Sequence, residues 1–441
     1  MVKVIGAGLA GCEAAWQLSN HGIEVELFEM KPKKFSPAHS YEGFAELVCS
    51  NSLKASRIDS AAGMLKEEMR ILGSLIMECA EKTSVSAGGA LAVDRKAFSD
   101  EVTARINANP LIKINCSEFT HIPDEYVIIA TGPLTSDSLA DSICEKCGKS
   151  LSFFDAAAPI VSFDSLDKEK IFFASRYGKG EDDYINCPMN KEEYLRFYSA
   201  LIEAEAAELK TFEKEQFRVY EGCMPVEVLA KRGEDTIRFG PLKPVGLTDP
   251  KTGKRPYAVV QLRKENNEGT MYNLVGFQTN LKFGEQKRVF SMIPGLENVE
   301  FIRCGVMHRN SFIDSPRLLS RELSLKLFPK IYFAGQITGV EGYIESAACG
   351  ILAGLNLSHR IVGKKPVVLP DVTILGSLIK YITDETIINF QPMGCNMGLL
   401  PELPDRIRDK KLKYQALAQR GLDALGNIID TKGIGVYENN R

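Results

Sequence analysis

The chain has 441 residues, of which 44% are hydrophobic and 25% are charged, and its formal net charge is −3. This length supports a large core and two domains. No uninterrupted apolar run approaches the roughly 20 residues that span a bilayer, and residues 1–5 leave no room for a signal peptide, so we predict a cytoplasmic protein. The net charge neither requires nor excludes a nucleic-acid partner, because local clusters decide that question.

The amino-terminal residues predict a dinucleotide-binding unit. An apolar strand at residues 2–5 leads directly into Gly6-Ala-Gly8-Leu-Ala-Gly11 and a helix at residues 12–18. In this fingerprint the first glycine makes the turn, the second lets backbone approach a pyrophosphate, and the third lets the helix pack on the strand. A second strand ends at Glu29, whose carboxylate can accept hydrogen bonds from ribose hydroxyls. The alternative is a loop of small residues without a ligand, followed by a solvated carboxylate.

Two later segments favour FAD as the dinucleotide. Residues 126–132 form an apolar strand and a small turn, typical of the end of an FAD domain. Another apolar strand, residues 331–334, is followed by Gly335 and a helix at residues 346–354, whose amino terminus could face the flavin. We find no second glycine fingerprint for a separate nicotinamide domain. The predicted cofactor-binding residues are Gly6, Ala7, Gly8, Leu9, Ala10, Gly11, Glu29, Thr131, Gly132, Gly335, Gln336, Gly342 and Tyr343.

The order of these elements predicts an α/β fold, a doubly wound Rossmann-like sheet with a smaller inserted α+β domain. We place the FAD-binding domain at residues 1–182 and 285–441, and the inserted substrate domain at residues 183–284. The insert has a helical pattern, followed by short strands between turn residues. Long helices are predicted at residues 190–209 and 405–425, and the short strands at residues 236–240, 257–262 and 271–277.

Three basic clusters lie at residues 31–34, 251–255 and 406–413. Each could be a solvated face, and together they could neutralise the phosphates of a folded RNA. We expect the second cluster in a hairpin and the third at the start of a late helix.

The eleven cysteines do not show the spacing of a disulfide framework, which indicates that most of them are reduced thiols. Cys144 and Cys147 form the only close pair, and the absence of a second pair or of paired histidines favours surface thiols over a zinc or redox site. No metal site is predicted.

Three residues are candidates for catalysis. Cys223 lies in a turn between Gly222 and Met224, where it could be an exposed nucleophile, although neighbouring carboxylates oppose thiolate formation. Cys49 lies among small polar residues that fit a loop against a cofactor, with a buried inert thiol as the alternative. His308 follows an apolar strand and could stack on a ring or act as an acid–base group, or it could be a core histidine.

The chain resembles the folate- and FAD-dependent tRNA uracil-5-methyltransferases of the TrmFO type from end to end. The glycine fingerprint is common to many flavoproteins, whereas the later matching stretches are specific. The matching stretches are Val4-Ile-Gly-Ala-Gly-Leu-Ala-Gly-Cys-Glu-Ala-Ala15, Leu47-Val-Cys-Ser-Asn-Ser-Leu-Lys54, Gly222-Cys-Met-Pro-Val-Glu227, Phe239-Gly-Pro-Leu-Lys-Pro-Val-Gly-Leu247, Met307-His-Arg-Asn310, Phe333-Ala-Gly-Gln-Ile-Thr-Gly-Val-Glu-Gly-Tyr343 and Phe390-Gln-Pro-Met393.

The resemblance implies that a one-carbon unit passes from methylenetetrahydrofolate through the reduced flavin to uracil C5 in the tRNA T-loop, with NAD(P)H as the reductant. It places Cys223 as the nucleophile at uracil C6, Cys49 as an auxiliary cysteine beside the flavin, and His308 at the folate and flavin face. Thiolate addition at C6 is needed because C5 is otherwise a poor nucleophile. The alternatives are a GidA-type enzyme that modifies the wobble uridine and a generic flavin NAD(P)H oxidoreductase.

Overall fold

The computed structural model describes residues 1–148, 151–178, 182–207 and 224–432. The strands in this part of the chain are β1 Val2–Ile5, β2 Val25–Glu29, β3 Ser52–Ala55, β4 Ser84–Val85, β5 Ala90–Val93, β6 Ile112–Cys116, β7 Val127–Ile129, β8 Leu151–Ala156, β9 Ile160–Ser162, β10 Phe172–Phe173, β11 Tyr184–Met189, β12 Ala258–Lys264, β13 Met271–Leu274, β14 Phe301–Arg303, β15 Met307–Phe312 and β16 Ile331–Phe333. The helices are α1 Leu9–Asn20, α2 Ala61–Ile71, α3 Leu75–Lys82, α4 Arg95–Ala108, α5 Asp137–Cys147, α6 Lys191–Glu203, α7 Val226–Ala230, α8 Glu234–Phe239, α9 Phe283–Phe290, α10 Ser315–Leu318, α11 Tyr343–Ile361, α12 Ile374–Ile382 and α13 Lys410–Lys432.

A five-stranded parallel sheet forms the first layer, in the order β16-β7-β1-β2-β6. The first strand lies at its centre, with Val4 opposite Leu27 on one side and Ile128 on the other. The strand residues 127–129 are fully apolar and buried, as expected when helices cover both faces of a parallel sheet. The last strand of the sheet comes from residues 331–333, so the carboxyl-terminal part of the chain completes it. The predicted α/β class with a Rossmann-like sheet is confirmed.

Helix α11 packs along α1 at unusually short range. A Cβ atom added at Gly350 would lie 2.1 Å from the carbonyl oxygen of Ala10, and one at Gly354 would lie 2.7 Å from that of Ala14. Only glycine allows this approach, because every other residue would place its Cβ in the facing backbone. The glycines of α11 therefore allow this late helix to pack directly against α1, near the amino terminus of the chain.

The second layer is a six-stranded antiparallel sheet in the order β10-β11-β12-β13-β9-β14. It has its own hydrophobic core, which includes Ile185, Phe197, Val260 and Phe290. Its strands come from residues 160–303, so they lie on both sides of the predicted insert boundaries. The division at residues 183–284 stays a prediction.

Several local predictions need correction. Residues 236–240 are predicted as a strand, but residues 236–239 belong to helix α8 and Gly240 follows its end. The helix begins with Glu234 and Asp235, and acidic residues in the first turn suit the positive end of a helix. Helix α6 ends at Glu203 rather than at residue 209, and residues 208–209 lie outside the described part of the chain. Helix α13 begins at Lys410 rather than at residue 405. Residues 251–255 form an exposed loop between α8 and β12 rather than a hairpin between strands.

Within the described residues, we find no helix with the length and apolar character needed to cross a membrane.

Candidate functional site

The glycine loop after β1 has the conformation that the fingerprint predicts. Gly6 has φ +97°, and a Cβ there would lie 2.8 Å from the carbonyl oxygen of Ala130. A Cβ at Gly11 would lie 1.7 Å from the carbonyl oxygen of Gly6, so the third glycine permits the tight entry into α1. By contrast, a Cβ at Gly8 would meet no atom within 4 Å. The backbone at Gly8 therefore faces open space, as a pyrophosphate cradle requires.

Glu29 ends β2 beside this loop and is buried. Its Oε2 accepts a hydrogen bond from the backbone N–H of Ala7 at 2.9 Å, and its Oε1 accepts one from that of Lys31 at 3.0 Å. These bonds fix the carboxylate at the cavity wall, and each oxygen has a further lone pair for a ribose hydroxyl. The Lys31 ammonium turns inward to the carbonyl oxygens of Tyr41 and Gly43, so Lys31 is not part of a surface cluster for RNA.

A large cavity lies over the carboxyl ends of the parallel strands, where doubly wound folds bind ligands. It encloses about 1150 Å³ of empty space, including solvent at its mouth. Eleven of the thirteen predicted cofactor-binding residues line it, whereas Gly11 and Gly342 are not among the lining residues. The sequence prediction missed other lining residues, among them Phe28, Ser36, His39, Ala45, Glu46, Val48, Ser117, Glu118, Phe119 and Leu139.

The return from β16 to α11 supplies another part of the cavity wall. Gly335 and Gly342 have φ +82° and +121°, values that favour glycine. Gln336 donates a hydrogen bond to Glu341 at 2.7 Å, which holds the turn between them. Tyr343 then opens a 19-residue helix and lines the cavity together with Ser346. The positive end of this helix is thus directed at the cavity and can stabilise negative charge there.

Cys49 is half-buried in a loop that is hydrogen-bonded to the first residue of this helix. Its backbone N–H donates to the phenol oxygen of Tyr343 at 2.7 Å, and that of Ser50 donates to the same oxygen at 3.3 Å. The thiol of Cys49 contacts the carbonyl oxygen of Ala156 at 3.7 Å. Burial raises the pKa of Tyr343 above its ordinary value, so the phenol stays neutral near pH 7. The structure therefore places Cys49 beside a residue that lines the cavity.

The structure describes little of the other two catalytic candidates. Cys223 lies outside the described residues. His308 lies on β15, where its backbone pairs with Asp155 of β8, and its side chain is outside the described part. After the gap, Glu227 accepts hydrogen bonds from Thr279 Oγ1 at 2.9 Å and from the Asn280 N–H at 2.7 Å. The predicted roles of Cys223 and His308 therefore stay predictions.

The described residues contain no group of three or more histidine, cysteine or acidic side chains that could hold a metal ion.

Comparisons with known proteins extend over most of the chain. A family model described as "Glucose inhibited division protein A" matches residues 1–365. A protein of Acetivibrio thermocellus named methylenetetrahydrofolate–tRNA-(uracil-5-)-methyltransferase TrmFO is 60% identical over 430 residues, which cover 97% of this chain and 98% of that protein. The protein of the same name from Enterococcus faecalis is 57% identical over 431 residues, covering 98% and 99% of the two chains. Among solved structures, Aquifex aeolicus GidA matches with a TM-score of 0.71 and 18% identity, over 99% of this chain and 74% of that one.

Proposed function

The chain belongs to the TrmFO family of methylenetetrahydrofolate–tRNA-(uracil-5-)-methyltransferases, and from that membership we propose how its residues serve the reaction. The protein is an FAD-dependent enzyme that methylates C5 of uracil in tRNA, with methylenetetrahydrofolate as the one-carbon donor. The observation that carries this function is the 60% identity to a relative of that name over 97% of the chain. We further propose that the uracil lies in the T-loop and that NAD(P)H supplies the electrons.

The walls of the cavity fit FAD. The open space at Gly8 suits the pyrophosphate, Glu29 can accept hydrogen bonds from ribose hydroxyls, and the amino terminus of α11 can stabilise electron density on a flavin ring. When bound, FAD supplies the redox and one-carbon carrier chemistry of the reaction. The protein supplies the fixed donors and acceptors that hold it and keep water from the reacting atoms.

We assign the nucleophile to Cys223. Its thiolate adds to uracil C6, and the C5–C6 π electrons move toward O4 to give an enolate whose C5 can attack a one-carbon electrophile. The C5 proton then leaves, the bond between sulfur and C6 breaks, and two electrons that originate from NAD(P)H reduce the transferred methylene group to methyl. The position of Cys49 beside Tyr343 supports an auxiliary role at the ring, and His308 is assigned to the folate side. The target base must leave its stack to reach such a site.

Methylation of an unmodified tRNA transcript tests this function. We expect 5-methyluridine only when both methylenetetrahydrofolate and NAD(P)H are present. Product formed with S-adenosylmethionine as the sole methyl donor would contradict the assignment.

A cysteine variant tests the nucleophile. We expect Cys223→Ala to keep the flavin absorbance and lose methyl transfer to below about 1% of wild type, because no thiolate can add to C6. Cys144→Ala, at a half-buried cysteine on α5, is the matched control and should keep full turnover. Retained turnover in Cys223→Ala would remove this residue from its role.

A further inference from the structure

An ion pair joins strand β3, which follows Cys49 in the chain, to the first turn of α11. Lys54 lies in β3, and its Nζ atom contacts Oε1 of Glu345 at 2.5 Å. Glu345 is the third residue of α11 and its side chain is fully buried, whereas the side chain of Lys54 keeps 43% of its surface exposed. Burial disfavours the charged form of Lys54, but Glu345 and the groups around it outweigh this effect and raise the pKa of Lys54 above its ordinary value. The ammonium group of Lys54 therefore stays charged at neutral pH.

Glu345 depends on Lys54 for its charge balance. Its Oε1 atom also accepts a hydrogen bond from the N–H of Cys395 at 3.0 Å, whereas its Oε2 atom is buried and has no hydrogen-bond partner among the described residues. Lys66 is a second lysine close to the pair, but it donates to backbone carbonyl oxygens, including that of Ala55 at 2.7 Å, and burial lowers its pKa to about 8. Lys54 is thus the cation that contacts this carboxylate.

The ion pair lies against the backbone at the amino terminus of α11. A Cβ atom added at Gly342, the residue before the helix, would lie 2.2 Å from Oε2 of Glu345 and 2.6 Å from Nζ of Lys54. On either side of Glu345 in the same helical turn, Tyr343 and Ser346 line the cavity. A net charge on this pair would therefore change the positive potential that the helix end directs at the cavity.

Lys54 has a backbone conformation that glycine adopts more readily. Its φ angle is +66°, in the left-handed region that is unfavourable for a residue with a Cβ atom. A glycine would avoid this cost but would leave Glu345 without a counterion. The conformation therefore indicates that the ammonium group, rather than the local backbone, gives this position its role.

We propose that Lys54 and Glu345 set the reduction potential of FAD bound in the cavity, because Lys54 cancels the negative charge that Glu345 would otherwise add at the end of α11. The inference rests on the proposed function through the bound FAD. Hydride transfer from NAD(P)H brings two electrons and one proton to the flavin ring, so the ring gains one negative charge as NAD(P)H becomes NAD(P)⁺. A neutral ion pair leaves the positive helix end free to stabilise that charge. Neither residue is among those that line the cavity, so both are positioning residues that act through the field at the helix end.

Variants of the two residues should shift the reduction potential in opposite directions. Lys54→Met leaves an uncompensated carboxylate that opposes negative charge on the flavin ring. We therefore expect its midpoint potential to fall by about 30 mV, which is a tenfold smaller equilibrium constant for two-electron reduction. Glu345→Gln leaves an uncompensated ammonium group, so its midpoint potential should rise by a similar amount. The double variant removes both charges, and its equilibrium constant should stay within about threefold of wild type, or roughly 15 mV.

The midpoint potential is measured on the FAD-loaded protein by slow reduction in the presence of a reference dye. This measurement needs neither tRNA nor folate, so it does not depend on methyl transfer. Lys54→Arg keeps the charge and should match wild type within about 15 mV. Lys82→Met, at an exposed lysine paired with Glu101, is the control and should also match wild type. Melting temperatures verify that each variant is folded, and if Lys54→Met does not fold, the rise in Glu345→Gln and its reversal in the double variant decide the question.

Midpoint potentials of both single variants within about 15 mV of wild type would overturn the proposal. Shifts of the two single variants in the same direction would also overturn it, because the pair would then be only a structural link between β3 and α11. Equal potentials of Lys54→Arg and Lys54→Met would show that the charge of Lys54 is not the cause. A wild-type protein that holds no FAD would instead contradict the proposed function, which separates the two failures.

Discussion

At the scale of single residues, two buried glutamates accept hydrogen bonds from the amino termini of helices that are distant in the sequence. Glu13 accepts hydrogen bonds from Ser74 Oγ and from the N–H groups of Leu75 and Ile76 at the start of α3. Glu68 accepts hydrogen bonds from the N–H groups of Ile374 and Leu375 at the start of α12, at 2.7 and 2.9 Å. Each carboxylate satisfies backbone donors that a helix leaves without partners.

The burial of these glutamates makes stability depend on pH. Burial raises the pKa of Glu68 to about 8 and that of Glu13 to about 7. Between the unfolded-state pKa of about 4.3 and these values, the folded state binds more protons than the unfolded state. The contribution of these groups to the free energy of unfolding is therefore full below pH 4 and decreases as pH rises toward 8.

We expect Glu68→Gln to flatten this dependence between pH 5 and 8, because the variant removes the group that takes up the proton. It should also lower stability by about 1–3 kcal/mol at pH 7, since the amide nitrogen cannot accept one of the two backbone N–H groups. Urea midpoints at pH 5, 6.5 and 8 measure both effects. Glu67→Gln, at the exposed neighbour paired with Arg70, is the control. An unchanged slope in Glu68→Gln would contradict the assignment.

At the scale of elements, the contact between α1 and α11 sets the position of the cavity. The amino termini of α1 and α11 both lie at the cavity, where Leu9 and Tyr343 line it. The close approach at Gly350 and Gly354 fixes the distance between these two helix ends. Two positive helix ends held at a fixed separation are suited to a ligand that has both a pyrophosphate and an electron-rich ring.

A pair of glycine-to-alanine variants tests this contact. We expect Gly350→Ala to lower stability by about 1–3 kcal/mol, because its Cβ would overlap the backbone of α1, and to weaken FAD retention. Gly426→Ala, in α13 where a Cβ would meet no atom within 4 Å, should raise stability by up to about 1 kcal/mol through helix propensity. Thermal unfolding and the ratio of flavin to protein absorbance provide the measurements. Equal behaviour of the two variants would show that the helix contact is not tight.

At the scale of the whole molecule, the cavity is lined by three distant parts of the chain. Residues 5–48, 117–139 and 335–346 all contribute to its wall. A ligand that fills it therefore contacts strands and helices from both ends of the chain at once. Binding to the folded state alone stabilises that state by mass action.

We therefore expect removal of FAD to lower the melting temperature and its readdition to restore it. At a free FAD concentration of 100 times its Kd, the gain is about 2.7 kcal/mol. Glu29→Ala should reduce this gain, because the carboxylate that can bond the ribose is lost, and should also loosen the loop at Ala7 that it holds. Scanning calorimetry at several FAD concentrations measures the effect. A melting temperature that does not respond to FAD would show that the folded protein does not bind it.

The sequence by itself determined the parts of this protein that depend on local chemistry. The glycine fingerprint, Glu29 and the late strand and helix predicted the parallel sheet and most of the nucleotide cavity, because the roles of these residues follow from backbone sterics and short spacing. The same reasoning failed at residues 236–240, where apolar and β-branched residues suggested a strand and the acidic start favoured a helix.

Only the tertiary structure decided which distant residues meet. Arg95, Arg263 and Arg303 are separated by at least 40 positions in the sequence, and no spacing rule connects them to each other, although the charge of Arg95 acts on both of the others. The same holds for Glu68 and α12, whose hydrogen bonds join residues more than 300 positions apart. Burial is a property of the packed chain, so the buried Nε and Nη2 atoms of Arg303 without hydrogen-bond partners became visible only in the folded structure.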